Sequence, residues 1–174
     1  MRTSNRRSGR DTLAGGARKG AGMESEALIR EQLTGRLRGR GAHMPFQQAV
    51  ADFPLDRINE NFPSGTYSSW ALLEHLRLTQ HDILDYCENP NYEHRPHPEG
   101  YWPSPDAVAT PEDWEHTIEV FLRELDELIA IVENPKTDLY APIPWGGDHT
   151  ILREILIVAD HNSYHVGELR SCGK

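Results

Sequence analysis

The sequence predicts an all-α protein, a four-helix bundle with long irregular loops. Three observations predict it. Apolar residues recur at spacings of three and four over four long segments, which places them on one face of a helix. No segment alternates apolar and polar residues as a half-buried strand does. The loops between the segments are uneven and carry most of the prolines and many of the glycines, which punctuate helices.

Taken in order, residues 1–22 are rich in Arg, Gly and Ser and contain a single Leu. Such a stretch buries too little apolar area to offset its ordering entropy, so a disordered basic tail is expected there. It lacks the apolar region of a secretory leader, so a plain tail is expected over a targeting arm, with Met23 as a natural alternative start. Residues 23–174 are expected to form the bundle domain. Its first helix is expected from Glu24, on Leu28, Ile29, Leu33 and Leu37, weakened by Gly35, Gly39 and Gly41. Pro45 kinks this run or opens a second short segment reaching Asp52.

A loop is expected at Asn61–Gly65. The second helix is expected over Ser69–Glu88, with Leu72, His75, Leu76, Thr79, Ile83 and Tyr86 along one stripe. Residues 89–110 hold five prolines and several aromatics, too many prolines for a helix or a central strand. They read either as a lid over a site or as an excursion packed down by Tyr101 and Trp102. Thr110-Pro111-Glu112-Asp113 is a helix start: Thr caps, Pro fits the first turn, and the acids complement the dipole. The third helix should run to Glu133 on Trp114, Ile118, Phe121, Leu125, Leu128 and Val132, ended by Asn134-Pro135. A fourth, capped by Asp148 or Thr150, should reach Arg170.

Composition bounds the function. The chain has 174 residues with 37% hydrophobic and 26% charged residues, enough for one domain with a sizeable core. No apolar run approaches the roughly 18 residues of a membrane span. Cys87 and Cys172 form no disulfide framework or zinc-finger spacing, so a reducing cytoplasm is the expected compartment. Net charge is −9, and six cations against Asp11 in the first 22 residues leave the body still more acidic. That argues against nucleic acid, whose phosphates need clustered Lys and Arg.

The chemistry concentrates on the last helix, in Asp160-His161-Asn162-Ser163-Tyr164-His165. Residues four apart share a helix face, so both imidazoles can point at one spot. Such a pair also arises by accident on surfaces. Here it runs beside Leu152, Ile155, Ala159, Asn162, Val166 and Leu169, so it flanks the predicted buried stripe. His75 is the best third ligand because it shares an apolar stripe on another helix. Three histidines without cysteine leave a position open, as catalytic rather than structural metal sites do. Zn, Ni, Mn, Fe and Co all accept imidazole, so the metal is not chosen by residue type.

The other histidines are weaker candidates: His81 faces a polar side, His94 and His97 sit in the proline-rich loop, His116 on an outer face, and His149 at a helix start. Among carboxylates, Glu154 and Glu168 lie on the histidine seam, and Asp82 falls two turns after His75. Each could orient an imidazole or act as a base, or stand at the solvated edge of the stripe, which is the better reading for Glu154 and Glu168. Asp160 should cap or face solvent, Tyr164 should pack between helices, and Cys172 lies too near the end to ligate.

The run Trp70-Ala71-Leu72-Leu73-Glu74-His75-Leu76, with Ala159 through Leu169 (ADHNSYHVGEL), resembles the DinB-like (DinB/YfiT) metal-binding superfamily. The resemblance implies an up-down-down-up four-helix bundle, often dimeric, holding a divalent metal on His75, His161 and His165. It also implies an activity. Characterised relatives include metal-dependent transferases using low-molecular-weight thiols such as bacillithiol or mycothiol, and a thiol-dependent isomerase. The expectation is therefore a thiol-dependent S-transferase or a hydrolase acting on a small molecule, with Asp82 or Glu168 relaying the proton. The alternatives are a non-catalytic metal-binding or stress-associated bundle, and a dimeric bundle with no metal. Two departures stand out: Gly167-Glu168 replaces the usual Gly-Gln, and the chain stops at Lys174.

Overall fold

A computed structural model of the chain describes residues 11–62 and 67–172. Five helices form, and no strand is present among the described residues: α1 Asp11–Leu37, α2 Phe46–Val50, α3 Ser69–Glu88, α4 Pro111–Glu133 and α5 Ile151–Cys172. The all-α expectation holds. The four long helices close a ring in the order α1, α4, α3, α5, since α1 packs on α4 and α5 and α3 packs on the same two. The proline-rich segment joins ring neighbours α3 and α4, whereas the other two long connections each cross a diagonal.

Boundaries follow local chemistry. Ser68 caps α3 by accepting from the Ala71 amide. Thr110 and Asp113 form a reciprocal capping box at the start of α4, with Pro111 in the first turn. Of the two caps expected for α5, Thr150 serves, accepting from the Arg153 amide. α5 runs on to Cys172, just past the expected end.

The first helix differs more. It is already running at Asp11 rather than at Glu24, so it includes residues 11–22, which were expected to be a tail. No proline interrupts the stretch, and although Gly15, Gly16, Gly20 and Gly22 weaken it, extending a helix is easier than nucleating one. Residues 1–10, the rest of that tail, lie outside the described residues, as does most of the Asn61–Gly65 loop. α1 ends where Gly39 adopts a φ of 70°, and an added Cβ there would meet Pro45 Cα at 2.8 Å. Only glycine fits that turn. The short segment after Pro45 stops at Val50, before Asp52.

The core fills from all sides. Leu72, Leu76, Phe121, Leu128, Ile155 and Leu169 are fully buried. Phe46 of α2 stacks on Phe121, with ring centroids 4.0 Å apart, and Phe53 packs on Trp114. One polar thread crosses this core. The Asn162 amide donates to Gln80 Oε1 at 3.0 Å, and Gln80 donates to the Phe121 carbonyl at 2.7 Å. It ties α5, α3 and α4 together beside His161, where a buried amide must find partners.

Candidate metal centre

On α5 Ile151, Glu154 and Val158 are buried along one line, and Ile155, Val166 and Leu169 are buried on the neighbouring stripe. His161 and His165 are half-buried. They continue the Ile151, Glu154 and Val158 line and flank the buried stripe of Ile155, Val166 and Leu169, as expected. On α3 the stripe is as expected, with His75 buried between Leu72 and Leu76. Because α3 and α5 are ring neighbours, the three imidazoles meet. One ring nitrogen of each lies within 4.8 Å of the other two, and the ring centroids are 4.5 to 5.0 Å apart.

Hydrogen bonds decide which nitrogens face the shared centre. His75 Nδ1 lies 2.7 Å from the Tyr101 carbonyl. A carbonyl can only accept, so Nδ1 carries the proton and Nε2 keeps its lone pair. His165 Nδ1 lies 2.6 Å from Glu168 Oε2, which leaves its Nε2 free in the same way. His161 Nε2 approaches His75 Nε2 at 3.1 Å. The outer nitrogens of two rings are thus held by oxygen acceptors, the usual support of a metal-ligating histidine.

Two of the rings, His75 and His161, are held toward the neutral form. Burial holds the His75 pKa below the usual value, joined by the field of His165 and opposed by the Tyr101 carbonyl and Glu168. Burial, then His165 and His75, pushes His161 down to about 4. Neutral imidazole is the form that ligates. Among the described residues no cysteine or carboxylate joins the cluster. The donor set therefore fits a divalent ion with a position left for water or substrate.

The proline-rich segment supplies one wall. Trp102 lies flat on His75, with ring centroids 3.9 Å apart and planes 3° from parallel. Tyr67 leans on Trp102 at 4.8 Å, and its hydroxyl reaches both Glu168 oxygens at 3.5 Å. The packing role foreseen for Tyr101 and Trp102 is present, and the same residues border the cluster. That Tyr101 would act through its main-chain carbonyl carries no sequence signal, since every residue has one. Tyr67 was also missed, because its position depends on how its loop returns to α3.

Asp82 is buried away from the cluster's nitrogens. It accepts from Tyr92 at 3.0 Å and from Tyr101 at 3.0 Å, and Arg95 lies 3.5 Å away. Its partners all come from the proline-rich segment, so it anchors that segment to α3. Glu168 is half-buried and bonded to His165, closer in than the solvated edge favoured for it. Glu154 departs from the edge expectation too: it is buried and paired with Arg153 and His149, because the neighbouring line on α5 is itself interior. Tyr164 does not pack between helices; it is exposed, with its ring edge against His165. Asp160 is exposed.

The remaining histidines stay outside the cluster. His81 pairs with Glu124 at 2.9 Å, His149 lies 2.9 Å from the Tyr86 hydroxyl, and His94, His97 and His116 are exposed. No helix is long and apolar enough to cross a membrane among the described residues.

No curated protein and no solved structure gives a significant match to the chain. A family model does match: that of the DinB superfamily, over residues 40–169. This span contains α3, α4, most of α5 and all three clustered histidines. The chain belongs to the DinB superfamily.

Proposed function

We propose that this protein is a metal-dependent enzyme in which His75, His161 and His165 hold one divalent ion, and that it transfers a low-molecular-weight thiol to a small electrophile. The observation that carries the reading is the meeting of three imidazoles whose outer nitrogens, on two of them, are fixed by acceptors. A divalent ion bound there lowers the pKa of a coordinated thiol or water, supplying a nucleophile near neutral pH.

The chain's own residues do the rest. Tyr101 and Glu168 orient two rings. Trp102 covers His75 and keeps water from that side. Glu168 is the acidic group nearest the cluster by hydrogen bonding, and it is the candidate to take up the proton released by the nucleophile. We assign Asp82 to positioning, through Tyr101. The protein's own Cys87 is not the thiol, because it is buried and its pKa is pushed up to about 12.

The test is a conjugation screen with protein reconstituted with Zn, Ni, Mn, Fe or Co. Glutathione, bacillithiol and mycothiol are each paired with a chromogenic electrophile, and hydrolysis of activated esters is followed in parallel. Turnover by at least one metal and thiol pair, lost in His161→Ala, is the expected result. Ester hydrolysis without thiol transfer would move the assignment to a hydrolase. No turnover with any combination would favour a metal-binding protein without catalysis.

A further inference from the structure

A cleft of about 570 Å³ opens between the proline-rich segment and the start of α3. Its size is that of a small-molecule site, for which roughly 300–1,000 Å³ is usual. The Trp102 and Tyr67 rings, Pro103, Pro105, Ala71 and Ala107 give it apolar walls. Trp102 also stacks on His75, and the Tyr67 hydroxyl reaches Glu168, which is bonded to His165. The Asn59 carboxamide clamps Ala109 from both sides, donating to its carbonyl at 2.8 Å and accepting from its amide at 2.9 Å.

Charge selects the occupant. Asp106 is the one ionisable acid or base on the described lining besides the Tyr67 phenol, and no Lys, Arg or His is among them. The chain as a whole carries −9. An anion entering here would shed water without meeting a cation, which is costly. A flat or branched uncharged group would instead bury against indole, phenol and proline rings.

We propose that this cleft binds the uncharged, apolar end of the electrophilic substrate, while any anionic thiol cofactor approaches from elsewhere. The assignment to the electrophile rests on the function proposed above; the preference of the cleft for a neutral apolar ligand does not. A substrate seated here would lie against the two side chains that border the metal-binding histidines.

The test uses two fluorescent probes on the full chain without metal: N-phenyl-1-naphthylamine, which is neutral, and 8-anilinonaphthalene-1-sulfonate, which differs by one sulfonate. The neutral probe should bind at least about tenfold more tightly, given the unpaired anion's desolvation. Ala71→Phe should weaken it about tenfold by filling the cleft. Ala107→Phe gives the same reading from the loop side, so the result does not depend on one variant folding. Circular dichroism checks that both stay helical. His161→Ala should leave binding within about twofold, because the cleft does not use that ring. Equal affinity for both probes, or unchanged binding in both filled variants, would overturn the proposal. Neutral-probe binding without metal uptake would retain the cleft and reject the metal site, and the reverse result would do the opposite.

Discussion

His75 donates its Nδ1 proton to the main-chain carbonyl of Tyr101 at 2.7 Å. The Tyr101 side chain donates in turn to Asp82 at 3.0 Å, two turns further along the helix that carries His75. The proline-rich segment is therefore stitched to α3 twice, once at the His75 ring and once below it. Trp102, next in sequence, lies flat on His75.

Under the proposed function, that arrangement gives Asp82 a positioning role with a defined effect. In Asp82→Ala the hydroxyls of Tyr92 and Tyr101 and the Arg95 guanidinium lose an acceptor, which should cost about 1–3 kcal/mol of stability. Metal affinity should fall by about tenfold as Tyr101 loosens its hold on His75. Chelator competition measures the second effect, and limited proteolysis should show earlier cleavage between residues 89 and 110. A general base would behave differently, losing turnover with metal affinity and loop protection intact.

Glu168 should act through His165. Its carboxylate accepts from His165 Nδ1 at 2.6 Å, which raises the basicity of the free nitrogen. Glu168→Gln keeps an acceptor but removes the charge, so metal affinity should fall modestly. Glu168→Ala removes the acceptor as well and should cost about tenfold or more. Equal affinity in wild type and both variants, by chelator competition, would remove Glu168 from the site.

Much of this was legible in the sequence, for identifiable reasons. Thr110 and Thr150 are caps that act within a few residues, so the starts of α4 and α5 could be read locally. The histidine pair needed only helical spacing, and His75 needed only an apolar stripe. The family match then covered the segments that carry the resemblance. What local pattern could not give was tertiary. Asp82 and Glu168 both stand near a histidine in sequence, yet one faces Tyr92 and Tyr101 while the other faces His165. That difference depends on where residues 89–110 return, a path set by packing rather than by spacing. Glu154 was misread for a related reason: its seam on α5 is interior over its whole first half, which depends on α3 covering it.

The histidines also predict a pH dependence for the metal-free protein. His161 has a folded pKa of about 4, below the unfolded value of about 6.5, and His75 is shifted the same way. Between those values the unfolded chain binds more protons, so stability is full above about pH 6.5 and falls as pH drops toward 4. Urea midpoints at pH 7.5, 6.0 and 5.0 should decline in wild type. The decline should be smaller in His161→Gln, which has no proton to bind. A parallel slope in the two proteins would mean that His161 is not held neutral.

Cys87 should be silent toward thiol reagents. Burial, helped by Glu154 and Glu88, pushes its pKa up to about 12, so almost no thiolate exists near pH 8. In a Cys172→Ser background, Ellman's reagent should modify Cys87 only after denaturant is added. Rapid labelling of the folded protein would show that the α3 end opens readily and would reopen Cys87 as a candidate nucleophile.

The central claim is that three histidines from two helices hold one divalent ion. Elemental analysis of protein purified without an affinity tag tests it most directly, comparing wild type with His75→Ala, His161→Ala and His165→Ala, each checked for helicity by circular dichroism. The account predicts about one divalent ion per chain in wild type, as expected for a single three-histidine site, and its loss in each variant. A wild-type protein without metal after incubation with Zn, Ni, Mn, Fe and Co, or variants that keep the full wild-type content, would contradict it.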